Sequence, residues 1–271
     1  MKINAMTYNL SWATQINRVL GSEADFVKEC QRLYNRGGKQ CTDNAIQGIG
    51  TLKDIHLMGL QEVNSKIEPK LKKVQPNLQT YERGTYGNST VSILWDPEIF
   101  GKIRYKYVFN LHKTESRPCL MILTDKNFLF INLHSPWETE TLSETLSKHL
   151  LKKNPISKHM NRDTKIIVMG DFNDDKSLLT KTKPLLIKTN KKRTLRLKHT
   201  KSKQQLQSSL RSCCWHELKH KYGHFDSAGD YILTNKHVKQ VSMFIPEIFN
   251  KKRRNNTMFS DHKPVMSELI I

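Results

Sequence analysis

Lys165-Ile166-Ile167-Val168-Met169-Gly170-Asp171-Phe172-Asn173 is the stretch on which the reading of this chain turns. An apolar, partly β-branched run of this length reads as a buried strand. It ends on a glycine, a carboxylate and an amide, polar groups of the kind that a sheet presents at the C-terminal ends of its strands, where ligands gather. Asp171 followed by Asn173 is also a common way to open a turn, because Asx side chains cap their own backbone. By itself the stretch leaves chemistry and turn-making open.

Working outward, the same pattern recurs. Lys2 to Leu10, Ile55 to Val63, Val91 to Trp95, Cys119 to Thr124, Phe128 to His134, Asp230 to Thr234 and Pro264 to Ile270 all read as strands. Several end or begin on chemistry-bearing residues: Asn9 after the first, Glu62 after the second, His134 closing the Phe128 run, Asp230 opening its own, and Ser260-Asp261-His262 just before the last. Helical spacing is predicted over Ser22 to Tyr34, with Ser22 as N-cap and Asp25 at the capping-box position, and over Thr139 to Leu151. Thr85-Tyr86-Gly87-Asn88 reads as a tight turn. Strands mixed with fewer helices imply an α/β or α+β sandwich, not a purely doubly wound sheet, and the 271 residues are read as one domain, 1–271.

Forty-five Lys and Arg against 25 Asp and Glu give a formal net charge of +20. A field of that size concentrates polyanions, so nucleic acid, anionic lipid headgroups and polyphosphorylated small molecules are the partner classes in view. From Lys176 to His216 there is no acidic residue but twelve Lys and Arg, an apparent basic insertion that directly follows the Asp171 strand. Its plainest reading is a solvated loop. Five scattered cysteines without a CxxC pair suggest neither a disulfide framework nor a zinc ribbon, and point to a reducing, intracellular compartment. Nothing resembles a secretory signal or a membrane span, and the Asn88-Ser89-Thr90 triplet is taken as chance. Nor does any feature call for more than a monomer.

Hard divalent cations prefer oxygen ligands, and Mg²⁺ is commonly held by one or two carboxylates while it keeps several waters. Glu62 and Asp261, helped by Asn9, are the right types to hold it. Hydrolysis of a phosphate ester also needs an aligned water and donors for charge developing on the phosphoryl oxygens. Asp171 is the candidate for the water, Asn173, His134 and His262 for the donors, and Asp230 for orienting His262.

Taken together and in this order, these motifs resemble the endonuclease/exonuclease/phosphatase superfamily, whose members include deoxyribonucleases, abasic-site endonucleases, deadenylases, inositol polyphosphate 5-phosphatases and neutral sphingomyelinases. Asn9 matches the family's Asn after the first strand, Gln61-Glu62 its QE motif, and His134 its phosphate-contacting His or Tyr. GDFN stands intact at Gly170 to Asn173 and SDH at Ser260 to His262. Arg117-Pro118 is similar to the family's Arg-Pro step, and Asp230 to its strand-leading Asp, although Asp226 lies close enough to compete. The resemblance implies a four-layer α-β-β-α sandwich of two packed sheets flanked by helices. It further implies Mg²⁺ or Mn²⁺ as cofactor and in-line attack of water on phosphorus.

One constellation serves many substrates in such folds. The charge favours a nuclease on DNA or RNA, with Arg117, Lys191, Lys192 and Arg193 as candidate contacts to substrate phosphates. The alternatives are a phosphatase or phosphodiesterase on phosphoinositide or sphingomyelin-type substrates, and a catalytically inactive nucleic-acid-binding relative.

Overall fold

The computed structural model describes residues 1–19, 21–136, 142–152, 154–173, 184–189, 193–201, 211–216, 224–250 and 257–271. Two mixed sheets face each other. The first has six strands in the order β14 (Lys239–Phe244), β15 (Val265–Ile270), β1 (Lys2–Asn9), β2 (Ile55–Gln61), β4 (Ser89–Trp95) and β3 (Thr80–Tyr86). The second has five, β13 (Asp230–Thr234), β8 (Lys165–Asp171), β7 (Phe128–His134), β6 (Pro118–Thr124) and β5 (Ile103–Asn110). Each sheet contains one parallel pair, β1 with β2 and β7 with β8, among antiparallel neighbours. These pairs lie centrally and are buried almost throughout, as the unbroken apolar runs require.

The sheets come close at Gly59, where a Cβ would stand 3.0 Å from the Cβ of Met169 in the facing sheet. Beside it a polar bridge crosses the core. Asn132 on β7 accepts from Gln61 Nε2 at 2.7 Å and donates to the backbone carbonyls of Leu60 and Ser92, each at 2.8 Å. Gln61 also hydrogen-bonds Thr7 Oγ1, so three strands of one sheet and one of the other share a saturated network. A buried polar group is tolerated on such terms and fixes register. Around it pack Trp95, Phe130, Phe100 and Phe128, ring against ring.

Helices α3 (Gly38–Thr51) and α4 (Glu68–Val74) pack on each other, and Gln75 ties them by donating to the carbonyls of Ile49 and Leu52. Phe249 wedges between Gly48 of α3 and the ring of Tyr8. On the second sheet α7 (Pro155–His159) lies against β5 and β6. Helix α6 (Leu142–Leu151) lies against β9 (Leu185–Thr189), which pairs in turn with β10 (Arg193–Leu197). The shorter elements are α1 (Trp12–Ile16), α2 (Ala24–Leu33), α5 (Pro97–Phe100), α8 (Glu247–Asn250) and a two-stranded ribbon of β11 (Cys213–His216) with β12 (His224–Ser227).

Three sequence expectations are corrected. Helix α2 begins at Ala24 after a 3-10 turn, and the residue before it, Glu23, makes no side-chain cap because its carboxylate is engaged by Ser11 and Ala13. Cys30 and Cys41 form a disulfide between α2 and α3, closing a small apolar cluster with Phe26 and Met258, which removes the cysteine-based ground for a reducing compartment. The basic insertion is not simply a solvated loop: its described part includes the β9–β10 hairpin, with Leu185, Ile187 and Leu197 in the main core, and strand β11. Among the described residues no helix is long and apolar enough to cross a membrane.

Candidate functional site

The parallel pairs deliver their C-terminal ends to one edge of the sandwich. Leu133 pairs with Gly170 and His134 with Asp171, while antiparallel β13 brings Asp230 opposite Asp171. Only a glycine fits before Asp171, since a Cβ on Gly170 would stand 2.2 Å from the carbonyl oxygen of Leu133. From the other sheet, β1 and β2 end side by side on Asn9 and Gln61, and Glu62 follows. Ser11, Glu62 and Asn173 all hold positive φ, at 53°, 58° and 48°, so the backbone is strained at three of the turns that frame this edge.

Asn9 is the hub. Its Nδ2 donates to Glu62 Oε1 and to Asp171 Oδ2, both at 3.0 Å, and its Oδ1 accepts from the backbone N–H of Ser11. Glu62 accepts a second bond, from the N–H of Trp12 at 2.8 Å. Asp171 takes the N–H of Asn173 at 3.0 Å, and the Asn173 amide donates to the carbonyl of Ser135. Ser260 Oγ donates to the carbonyl of Asn9 and so draws the Asp261-His262 turn onto the same edge. Asn9, His134, Asp171, Asn173, Asp230, Asp261 and His262 are each less than a tenth exposed.

Two kinds of ground lie on either side of Asn9. On one side are carboxylates. Glu23, which sequence reasoning did not single out, is pushed up to about 9 by burial and by the nearby charges of Glu62 and Asp261. Asp261 is likewise pushed up to about 6, first by burial, with Glu62 and Asp171 adding to it. Glu62 itself is held below its ordinary value: burial works against this, but His134, the Trp12 N–H and Asn9 outweigh it. Three acids at close quarters, all rich in oxygen donors, suit a hard cation.

On the other side stands a carboxylate–imidazole chain. Asp230 Oδ2 lies 3.0 Å from His262 Nδ1, and His262 Nε2 lies 3.7 Å from Asp171 Oδ2. Burial opposes the charged ring, yet Asp230, Asp171 and Asp261 carry His262 well above its ordinary value, so these carboxylates favour the imidazolium form. Ligand atoms of Asp171, Asp230 and His262 lie within 4.8 Å of one another, a grouping also able to hold a metal ion.

His134 completes the edge, its Nε2 3.7 Å from Glu62 and 3.8 Å from Asp171. Burial, helped by Arg117 and His262, holds it below its ordinary value despite the two carboxylates. Arg117 Nη1 sits 2.6 Å from that Nε2, which therefore accepts, and the ring is neutral with its proton on Nδ1.

All eight candidate catalytic and metal residues meet at this edge, and Arg117 borders it. Of the two candidates for the strand-leading Asp, Asp230 lies 3.0 Å from His262 Nδ1, and the side chain of Asp226 lies outside the described ones. Lys191 and Lys192 lie outside the described residues, and Arg193 opens β10.

No protein-family model matches the sequence, and no curated protein sequence does. Solved structures do. A crystal structure of ANGEL2, described as a 2′,3′-cyclic phosphatase, superposes with a TM-score of 0.62 at 13% identity, covering 99% of this chain and 95% of that one. An endonuclease/exonuclease/phosphatase protein from Bacteroides vulgatus gives 0.62 at 14% identity, over 100% and 99%. D. rerio TDP2, complexed with a single-strand DNA product, gives 0.57 at 15% identity, over 100% and 99%. The chain thus has the endonuclease/exonuclease/phosphatase fold.

Proposed function

We propose that this chain, on that fold, is a divalent-metal-dependent phosphoesterase that hydrolyses phosphodiester bonds of DNA or RNA, with residues 1–271 as its catalytic domain. The observation that carries the reading is the Asn9 amide, which holds Glu62 and Asp171 at equal distance though they lie 53 and 162 residues away in the chain. Asp230 and Asp171 have His262 beside them, but Glu23, Glu62 and Asp261 are gathered against one another, at a cost that a bound cation would offset.

Glu62, Asp261 and the Oδ1 side of Asn9 would hold Mg²⁺, or Mn²⁺ in its place. When bound, such an ion neutralises charge on the phosphate oxygens. Asp171 aligns a water for in-line attack and takes its proton; the side-chain amide of Asn9 and the backbone N–H of Asn173 fix its rotamer from both oxygens. Asp230 keeps the proton on His262 Nδ1, so that Nε2–H donates to a phosphoryl oxygen as negative charge builds. That proton already occupies the face between Asp230 and His262, which makes the chain a donor in preference to an ion site. Arg117, bonded to His134, supplies a second cationic donor. His134 serves through Arg117, since its own Nε2 is an acceptor in this arrangement.

A nucleic-acid substrate is favoured by the +20 charge and by the neighbours, one crystallised with a DNA product and one described as a cyclic phosphatase. The test incubates the protein with labelled single- and double-stranded DNA, RNA, bis(p-nitrophenyl) phosphate and a phosphoinositide panel, with Mg²⁺ and with chelator. Metal-dependent diester cleavage that Asp171→Asn abolishes is the expected result. Release of headgroup phosphate without action on polynucleotide would instead make it a lipid phosphatase, and cleavage by Asp171→Asn would remove the mechanism.

A further inference from the structure

At the far end of β13 from Asp230 lies a cavity of about 1260 Å³ that the site chemistry does not use. Thr234 is four residues along the strand from Asp230, about 13 Å at the usual rise. The cavity forms where the basic hairpin rejoins the sheet. Lys198 and Thr234 exchange backbone hydrogen bonds at 3.1 and 3.0 Å, so the segment after β10 extends the free edge of β13 and walls off the space. His199 stacks on the ring of Tyr231, the residue after Asp230, at 5.5 Å and 19°, which ties this wall to the site.

Its lining is of one sign. Arg162, Arg196, Lys198, Lys236 and Lys239 contribute to it, and among the described residues no Asp or Glu does. All five are exposed, and among the described residues none forms an ion pair with a carboxylate. Some surface cations elsewhere have carboxylate partners, Lys2 with Glu268, Arg36 and Lys70 with Asp43, and Lys106 with Glu82. Five unmatched cations from three separate chain segments around one concavity raise the local potential and draw in anions. Neutral donors and acceptors, Thr194, Asn235 and Gln240, lie between them.

We infer that this cavity is a second anion-binding site, which takes the phosphate backbone of a polynucleotide beyond the segment held at Asp171. The inference rests on the proposed nuclease reading. Two features favour a polynucleotide over a compact polyphosphate. The volume exceeds the roughly 300–1,000 Å³ usual for small-molecule sites. The cations stand on exposed rims, as phosphate-backbone contacts do, and not at the bottom of a closed pocket.

The test is the triple variant Arg196→Gln, Lys198→Gln, Lys236→Gln, whose exposed side chains leave the core untouched; circular dichroism and thermal unfolding check its fold. Binding of a labelled 20-base-pair duplex is measured in chelator, so that nothing is cut, across a salt series. Loss of three phosphate contacts lowers the slope of log K against log salt by about 2.7 and weakens binding about 100-fold at roughly 0.15 M salt. Turnover of bis(p-nitrophenyl) phosphate, too small to reach the cavity, stays at the wild-type value. An unchanged slope and affinity would overturn the inference. So would binding of inositol hexakisphosphate or of phosphoinositide vesicles that the variant loses while duplex affinity holds. If neither protein hydrolyses any diester, the nuclease reading fails separately, and the salt series still decides whether the cavity binds a polyanion.

Discussion

Replacing Asp230 by Asn changes one charge and almost no volume at the point where the donor chain is anchored. Asp230 and His262 are both buried and 3.0 Å apart, and the imidazolium is the state that the surrounding carboxylates favour. A hydrogen bond to a charged group is worth about 1.5–3 kcal/mol. Asn at 230 can accept from Nδ1 but carries no charge to hold the proton there, so a loss of about 2–3 kcal/mol falls on the step in which His262 donates. At about 1.4 kcal/mol per decade this is a drop in kcat of roughly 30- to 150-fold. The assay is Mg²⁺-dependent hydrolysis of bis(p-nitrophenyl) phosphate, with ring NMR of His262 to follow its protonation, which should move to lower pH in the variant. A natively folded Asp230→Asn enzyme with kcat within about threefold of wild type, or with His262 still titrating at its wild-type pH, would refute the assigned role.

Asn132→Leu keeps the volume but takes from Gln61 Nε2 the shorter of its two partners and from the carbonyls of Leu60 and Ser92 their side-chain donor in the core. Urea unfolding should show a loss of about 3–5 kcal/mol, and a loss under about 1 kcal/mol would mean the bridge is ornamental. Glu23→Ala frees Ser11 and the Ala13 N–H beside the acidic cluster, and Mn²⁺ affinity by calorimetry should weaken about tenfold or more; an unchanged affinity would detach Glu23 from the ion site. His149 is pushed down to about 4, first by burial and then by Lys152 and Lys148, while it stacks on Phe109 and bonds Tyr107. Its unfolded form binds a proton more readily than the folded form between about 6.5 and 4, so its contribution is whole above that window and is lost as pH falls through it. Thermal scans should show a steeper acid-side fall for wild type than for His149→Phe, and parallel curves would exclude the effect.

How far the sequence reached follows from the range of each signal. Strands buried on both faces announce themselves as apolar runs, and β1, β2, β7, β8 and β13 lie within a residue or two of where those runs place them. Helix α3 was not legible, because Gly38, Gly48 and Gly50 break its helical pattern; the glycines are there for contact, as a Cβ on Gly38 would meet the Thr14 carbonyl at 2.6 Å and one on Gly48 the Phe249 ring at 2.7 Å. The β9–β10 hairpin was hidden in the same way under its lysines, since only alternate residues such as Leu185 and Ile187 turn inward.

Residue types and their order were enough to name the oxygen donors, the imidazoles and the polyanion-seeking charge, since each sits in a short motif at a strand end. Only folding decided who touches whom. Arg117 takes the lone pair of His134, Glu23 crosses from another loop to join Glu62 and Asp261, and Cys30 finds Cys41. These pairings depend on distances set by two packed sheets and on burial that shifts protonation, and neither quantity is written in any local stretch of the chain.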